Sequence, residues 1–414
     1  MVLRCRYSVK IYLQKESILF YIGLCCFLNL IISCSEEPIQ ANLSNINSDI
    51  DTLLITNITG FNYQISPDIN SHNKLYVGSY GEYKFLSSLF NFSSNGWSTF
   101  FDSTITLDSI HFKLFSKDSL TEENINLNLY FTTDSIFNES SSLASELSNI
   151  SFDEWINLGI PSIEVVIDSS DTVSTFQETV LKWDIGSLVE TIIDTSTIHR
   201  TFSLSLPSGS NSFFELYSRE YSSGSLDPKI EVYYRREIGS NPDSSVTDTL
   251  TRIIYVSEDI SVIETLEIDD NGNNNILISR ARGSRAILNI PFDSLSLPQY
   301  SVIRSANLSL FQPGDSLDNF SVRMDPLKFL PDSGSSIFNA DPYENLGMYF
   351  SSATVASNKL QISLKSYFQS ILMTDSLTNV GLKFSASTTN DLFENVNFDL
   401  SHIDNKLEIF YVSP

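Results

Sequence analysis

Metal and general-base chemistry would start from the four histidines, His72, His111, His199 and His402. No two share a metal-ligand spacing, and no HExxH is present. His111 lies inside an alternating stretch and reads as an ordinary satisfied or surface histidine. No GxSxG, P-loop or GxGxxG occurs. A glycosidase needs two carboxylates flanking a cleft. Among 50 Asp+Glu, spacing alone selects no pair, so no catalytic residue is assigned and a non-enzymatic role is expected. The run Asp269-Asp270-Asn271-Gly272-Asn273-Asn274-Asn275 is rich in oxygen ligands. An EF-hand loop counted from Asp269 would need Gly at the sixth place and Glu at the twelfth. Asn274 and Arg280 stand there, so the run reads as a polar turn. No metal or cofactor is assigned, and a structural calcium on other acidic loops stays open.

The aromatic residues offer a different chemistry, because sugar faces stack on exposed rings. Trp183 heads an amphipathic segment and is expected in the core. Trp97, in Ser94-Asn95-Gly96-Trp97-Ser98, has a turn-like context. Trp155, in Phe152-Asp153-Glu154-Trp155, follows a Ser-rich loop. These two are the candidate ligand-binding tryptophans, with Tyr80 and Tyr83, beside Gly78 and Gly81, as weaker additions. Arg219 and Glu220 are expected to form a structural ion pair at a strand end rather than a ligand clamp.

The chain has 414 residues, with 25 Lys+Arg against 50 Asp+Glu, a formal charge of −25 and a sequence pI near 4.4. Such acidity argues against nucleic acid, whose phosphates need Lys and Arg, and against a basic patch on anionic lipid. It also predicts poor binding of polyanionic glycans unless calcium bridges them. Residues 1–33 carry Arg4, Arg6, Lys10 and Lys15, then the apolar run Ile18–Ile32, shorter than the roughly 20 residues that span a bilayer. Ile31-Ile32-Ser33-Cys34 resembles a bacterial lipobox, which implies cleavage before Cys34 and acylation of that residue. Ser35-Glu36-Glu37 is similar to the acidic signal that sends Bacteroidetes-type lipoproteins to the outer face of the outer membrane. Cys5, Cys25 and Cys26 lie in the removed segment, leaving the mature chain without a disulfide. The mature charge is then about −28, from 21 Lys+Arg and 49 Asp+Glu.

Residues 34–52 read as a flexible tether. From Leu53 onward, short runs alternate apolar and polar residues between Ser/Asn/Asp/Gly clusters, the signature of an all-β chain. Clear examples are Ile110–Phe115, Ile125–Phe131, Phe202–Leu206 and Ile230–Tyr234. The order then repeats at an offset of about 180 residues. Leu107–Phe115 matches Ile303–Phe311, Ile125–Leu129 matches Phe320–Met324, and Leu181–Ile193 matches Leu360–Leu372. Phe202–Leu206 answers to Leu382–Ala386, Phe214–Ser218 to Val396–Leu400, and Pro228–Tyr234 to Asn405–Tyr411. A tandem duplication follows, with module one at residues 53–235, a linker at 236–250 and module two at 251–414. In each module one segment has helical spacing, with Ile185, Leu188, Val189, Ile192 and Ile193 in the first and Leu364, Tyr367, Phe368, Ile371 and Leu372 in the second. Asp184 is the expected N-cap of the first.

These elements, in this order, resemble the DNRLRE-type modules of bacterial surface proteins, which are related to a carbohydrate-binding-module group. The resemblance rests on Arg285–Leu295 and Ile303–Leu310 in module two, and on Lys182–Val189, Phe214–Glu220 and Pro228–Tyr234 in module one. Module two lacks the Trp-Asp pair, and His402 replaces the arginine of the closing motif. The resemblance implies two tandem jelly-roll-like antiparallel β-sandwiches, each with one short amphipathic helix. It also implies an accessory binding or structural role. The sequence reading is therefore a lipid-anchored outer-membrane protein facing the cell exterior that binds glycan or a surface protein complex. The alternative is a structural or adhesive protein that contacts other proteins.

Overall fold

The computed structural model describes residues 50–413 apart from 68–71, 95–96, 98–99, 101–104, 119, 121–124, 169–175, 195, 222–223, 239–245, 267–274, 314–317, 331–336, 339 and 375. The residues read as signal segment and tether, Cys34 among them, lie before Ile50 outside the described residues, as does the run 269–274. Among the described residues no helix is long and apolar enough to cross a membrane. The architecture is all-β, built as two antiparallel sandwiches.

The described residues open with β1 (Ile50–Ile55) and β2 (Thr59–Ile65), which lie in different sheets. The next strands are β3 (Lys74–Tyr80), β4 (Tyr83–Asn91), β5 (Ile105–Ser116), β6 (Asn128–Thr132), β7 (Ile156–Asn157), β8 (Ser162–Asp168) and β9 (Phe176–Asp184). After them come β10 (Thr201–Ser205), β11 (Phe213–Tyr217), β12 (Lys229–Ile238), β13 (Val246–Tyr255) and β14 (Glu258–Ile263). In the first sandwich one sheet has the order β11-β3-β4-β10-β6-β7, with β14 also on β4. The other has the order β13-β12-β5-β9-β8. Alternation sends Phe112 and Leu114 of β5, Leu181 and Trp183 of β9 and Phe202 and Leu204 of β10 into one core.

The second half supplies β15 (Asn275–Ser279), β16 (Ser284–Asn289), β17 (Val302–Phe311), β18 (Ser321–Pro326), β19 (Ile337–Phe338), β20 (Ser351–Thr354) and β21 (Lys359–Ser363). It ends with β22 (Leu382–Ala386), β23 (Asn395–Asp399) and β24 (Lys406–Val412). One sheet has the order β1-β24-β17-β21 and the other β19-β2-β16-β22-β18-β20, with β15 joining β16 to β23. Its core includes Leu308, Leu310, Val322, Met324, Leu382 and Phe384.

The central pairings of the two sandwiches correspond: β5 lies between β12 and β9 as β17 lies between β24 and β21, while β8 and β19 have no counterpart. The module boundaries need correcting. β13 and β14 follow module one's last strand and complete the first sandwich, pairing with β12 and β4. The equivalent pair of strands β1 and β2, which precede the first sandwich in the chain, completes the second by pairing with β24 and β16. The sandwiches are thus residues 74–263, and residues 275–412 closed by 50–65. Residues 51–414 form a single compact unit.

The same stitching secures both exchanged strands. In the first sandwich Tyr76 N–H donates to Ser261 Oγ at 2.8 Å, and Ser88 Oγ donates to the Tyr76 carbonyl at 3.0 Å. In the second, Leu277 N–H donates to Asn62 Oδ1 at 2.9 Å and Ser284 Oγ donates to the Leu277 carbonyl at 2.5 Å. Among the described residues three short α-helices form: α1 (Ala144–Leu147), α2 (Val189–Ile193, after a 3-10 turn at Gly186–Leu188) and α3 (Lys365–Met373). α2 and α3 occupy the equivalent, expected places. Asp184 ends β9 and is not the N-cap of α2, a place held by Leu188; its carboxylate instead accepts the Gly186 N–H at 2.9 Å, from one residue ahead of Ile185, the N-cap of the 3-10 turn. α3 buries Tyr367, Phe368 and Ile371, each worth about 1.5–3 kcal/mol of burial.

Candidate functional site

The side of each large sheet that faces away from its core could hold a ligand, and the two sandwiches treat it differently. In the first, this side presents Leu89, Ile260 and Val262. They are covered by the loop after β6 through Phe137, Leu147, Ile136, Ile150 and Trp155. In the second, the loop at 340–350 covers only part of the face, and an open cleft of about 360 Å³ remains.

Register explains what lines it. Tyr63 on β2 stands opposite Arg285 on β16. Ala286 faces Phe384 on β22, which sets Arg285 beside Ser385. Arg323 on β18 faces Ser385 on one side and Ser352 on β20 on the other. The next rung places Lys383 beside Asp325. Because side chains alternate along each strand, Val322, Met324, Leu382 and Phe384 fill the core while these polar neighbours share the outer face. Arg280, from the β15–β16 turn, closes one end of the cleft and donates from Nη1 to the Thr388 carbonyl at 3.0 Å.

Four cationic groups thus line a cleft in a chain of net charge −25. Two carboxylates hold three of them. Arg323 makes a two-pronged pair with Asp325, Nε to Oδ2 at 2.7 Å and Nη2 to Oδ1 at 2.9 Å, and its guanidinium lies 5.1 Å from the exposed Phe350 ring. Asp341 accepts Lys383 Nζ at 2.8 Å, Arg285 Nη1, the Tyr63 hydroxyl at 3.1 Å and the Tyr343 N–H at 3.0 Å. Burial pushes the Asp341 carboxyl up, but Lys383, Arg285 and the Tyr343 N–H outweigh it and hold it below the usual carboxylate range. Burial, then the charge of Asp341, pushes the Tyr63 hydroxyl up, so it remains a donor. The cleft therefore offers fixed cationic donors, serine hydroxyls at 352, 385 and 387, and one aromatic ring at its rim. That set suits an oxygen-rich anionic or polyhydroxyl ligand.

A larger cavity, about 1060 Å³, lies between the sandwiches and shares Arg280 and Thr388 with the cleft. His72 and Lys74 line it from the first sandwich and Asp391 from the second. Burial leads the causes that lower the His72 imidazole. Among the described residues no group of three His, Cys, Asp or Glu side chains is placed to hold a metal.

The aromatic candidates sit elsewhere. Trp97 is wholly buried, in contact with Phe100 and with the Arg200 guanidinium 5.2 Å above its ring, so its ring has no open face for a sugar. Tyr83 is also buried. It joins Tyr76, Phe85, Phe213 and Phe393 in the cluster between the sandwiches. Tyr80 is half-exposed and packs on Phe213 and Phe393, with ring centroids at 5.1 and 4.6 Å, at the edge of that cluster. Trp155 is half-buried, edge-on to Phe152 at 5.2 Å, in the loop that covers the first sandwich. The structure brings Tyr80 and Tyr83 together, away from both tryptophans. Trp183 is core, and its Nε1 donates to the Gly159 carbonyl at 3.0 Å. Arg219 and Glu220 do pair, Nε to Oε1 at 3.1 Å.

The sequence carried one overlooked signal for the cleft. Arg280, Arg282 and Arg285 fall within six residues of a chain with only 25 basic side chains. Compared with protein-family models, curated proteins and solved structures, the chain matches none.

Proposed function

We propose that this chain is a cell-surface lipoprotein whose second sandwich holds a glycan without transforming it. The observation that carries the reading is the row Arg285–Ser385–Arg323–Ser352 across an uncovered sheet face, with Lys383 and Arg280 beside it and Phe350 at the rim. Guanidinium groups recognise carboxylate and sulfate in a two-pronged fashion, while the ring and hydroxyls suit a sugar. The favoured ligand is therefore a saccharide bearing carboxylate or sulfate groups. The chain's overall acidity argues against such a ligand elsewhere on the surface, but at this cleft the local sign is reversed. Holding rather than catalysis is favoured because Asp325 and Asp341, the carboxylates of this face, are locked in ion pairs. Surface anchoring rests on Ile31-Ile32-Ser33-Cys34 and the acids after it.

A glycan screen with soluble residues 35–414 tests the reading, with and without calcium. Acidic oligosaccharides are expected to bind in chelator, more weakly as salt rises. The double variant Arg285→Ala/Arg323→Ala is expected to weaken them by about two to four orders of magnitude, at roughly 1.5–3 kcal/mol per charged hydrogen bond. Trp155→Ala is expected to leave them unchanged. Equal binding of neutral glycans, with no response to the two arginines, would remove the assignment.

A further inference from the structure

The strand that completes the cleft comes from the far end of the chain. β2 supplies Tyr63, whose hydroxyl bonds the carboxylate that holds both Arg285 and Lys383. It also supplies Ile65, which lines the cleft. Three further bonds fasten β2 to the β15–β16 hairpin. Gln64 Nε2 donates to the Arg282 carbonyl at 2.7 Å, Ile65 N–H donates to the Gly283 carbonyl at 3.0 Å, and Asn62 Nδ2 donates to the Asn275 carbonyl at 3.1 Å. Gly283 sits at φ +63°, and a Cβ there would lie 2.0 Å from the Ile65 carbonyl oxygen, so the close approach needs glycine.

The strand that precedes it, β1, is held far less firmly. β1 has no fully buried side chain, and only Leu53 and Ile55 lean on the core. Few buried contacts mean low local stability. The half that follows directly on the stretch read as the tether is therefore the easier one to lift, and it leads into β2, which is buried at Tyr63, Gln64 and Ile65 and paired with both β16 and β19.

We propose that the segment β1–β2, which spans both sheets of the second sandwich, is a strap that assembles the cationic cleft: docked, it sets Arg285 and Lys383 through Tyr63 and Asp341; lifted, it releases both. Tyr63 and Asp341 are positioning residues in this scheme. Lifting also bares β24 and β16 as unpaired neighbours for strand addition. A pull on the amino-terminal side would reach β1 first, so load on the tether and the state of the cleft are coupled. Only the consequence for ligand capture rests on the binding role proposed for the cleft. The link between strap and cleft stands without it.

The test uses the full chain and a readout that needs no ligand, the acylation rate of Lys383 by a succinimidyl ester, located by mass spectrometry. Lys383 is almost fully buried, with Nζ held by Asp341 and by the Tyr343 carbonyl at 2.9 Å. In Leu53→Asp/Ile55→Asp, amide protection at residues 59–65 is expected to fall. Lys383 acylation should then rise by at least about tenfold, with protection in β5 unchanged. Tyr63→Phe, which keeps the ring and loses one hydrogen bond, is expected to retain its melting temperature and to raise acylation about threefold. Unchanged Lys383 acylation while strap protection is lost overturns the proposal. Should the Asp pair fail to fold, unchanged acylation in Tyr63→Phe overturns it alone. A sulfated oligosaccharide serves as binding probe in parallel. If acylation rises and probe binding stays constant, the strap stands and the binding role of the cleft falls.

Discussion

At the scale of single residues, Arg200 both closes the end of α2 and covers the buried Trp97. It is 1% exposed, an unusual place for a guanidinium. Its Nε donates to the Ile192 carbonyl at 2.6 Å and its Nη2 to the Asp194 carbonyl at 3.1 Å, which satisfies the C-terminal end of α2. Its flat face lies over Trp97. Burial pushes the guanidinium down and Asp194 pushes it back up. Arg200→Ala removes the carbonyl partners and leaves a hole beside Trp97, so a loss of about 2–4 kcal/mol is expected. Urea unfolding of variant and parent measures it, and a loss below 1 kcal/mol would mean that water replaces the arginine without cost. The same pair shows why Trp97 was misplaced by local reading. What covers the indole is a cation about a hundred positions later, and no local pattern reports that.

At the scale of elements, one acidic cluster ties three segments of the first sandwich together. Glu139 lies in the loop after β6, Arg219 and Glu220 in the loop after β11, and Asp259 on β14. Arg219 Nη1 is 3.5 Å from Glu139, and the Arg219 N–H donates to Asp259 Oδ2 at 2.9 Å. Burial, then Glu220, lifts Glu139 from its ordinary 4.5 to about 6, against Arg219 and the Asp259 N–H. Burial, with Glu220 and Glu139, also raises Asp259. A carboxyl raised in the folded state stabilises below its unfolded value, and that contribution is lost as pH rises through the folded value. Melting temperature is therefore expected to fall between pH 4.5 and pH 7, and Glu139→Gln to flatten the slope. A variant with the parent's slope would assign the pH response to other groups. Strands of this kind were legible in the chain. Leu107–Phe115 and Ile303–Phe311 announce β5 and β17 by alternation, and their repeat fixes which strands flank them. The strap was not legible. Alternation in β2 tells which side chains share a face, but the choice between β4 and β16 is made by partners more than 200 residues away.

At the scale of the whole molecule, two sandwiches of equivalent topology meet through unlike surfaces. Phe393, from the loop before β23, inserts among Tyr76, Tyr80, Tyr83, Phe85 and Phe213 of the first sandwich, with ring centroids 4.6 to 5.9 Å away. An ion pair between Arg282 and Glu82 borders the cluster. Edge-to-face rings of this kind add about 0.5–1.5 kcal/mol per pair beyond the area that they bury. Each sandwich keeps its own core, so the junction rather than either core decides whether they unfold together. The cleft and the larger cavity share Arg280, whose carbonyl partners Thr388 and Asn390 belong to the loop that carries Phe393. Loosening the aromatic cluster should therefore disturb the cationic face as well as cooperativity. Phe393→Ala is expected to cost about 3–5 kcal/mol of coupling and to split one calorimetric transition into two. In the same variant, amide exchange should rise at residues 280–285 and in β3 while β17 stays protected. A single transition with unchanged exchange at Arg280 would show that the shared strap and the linker after β14, rather than the rings, make the two halves fold as one.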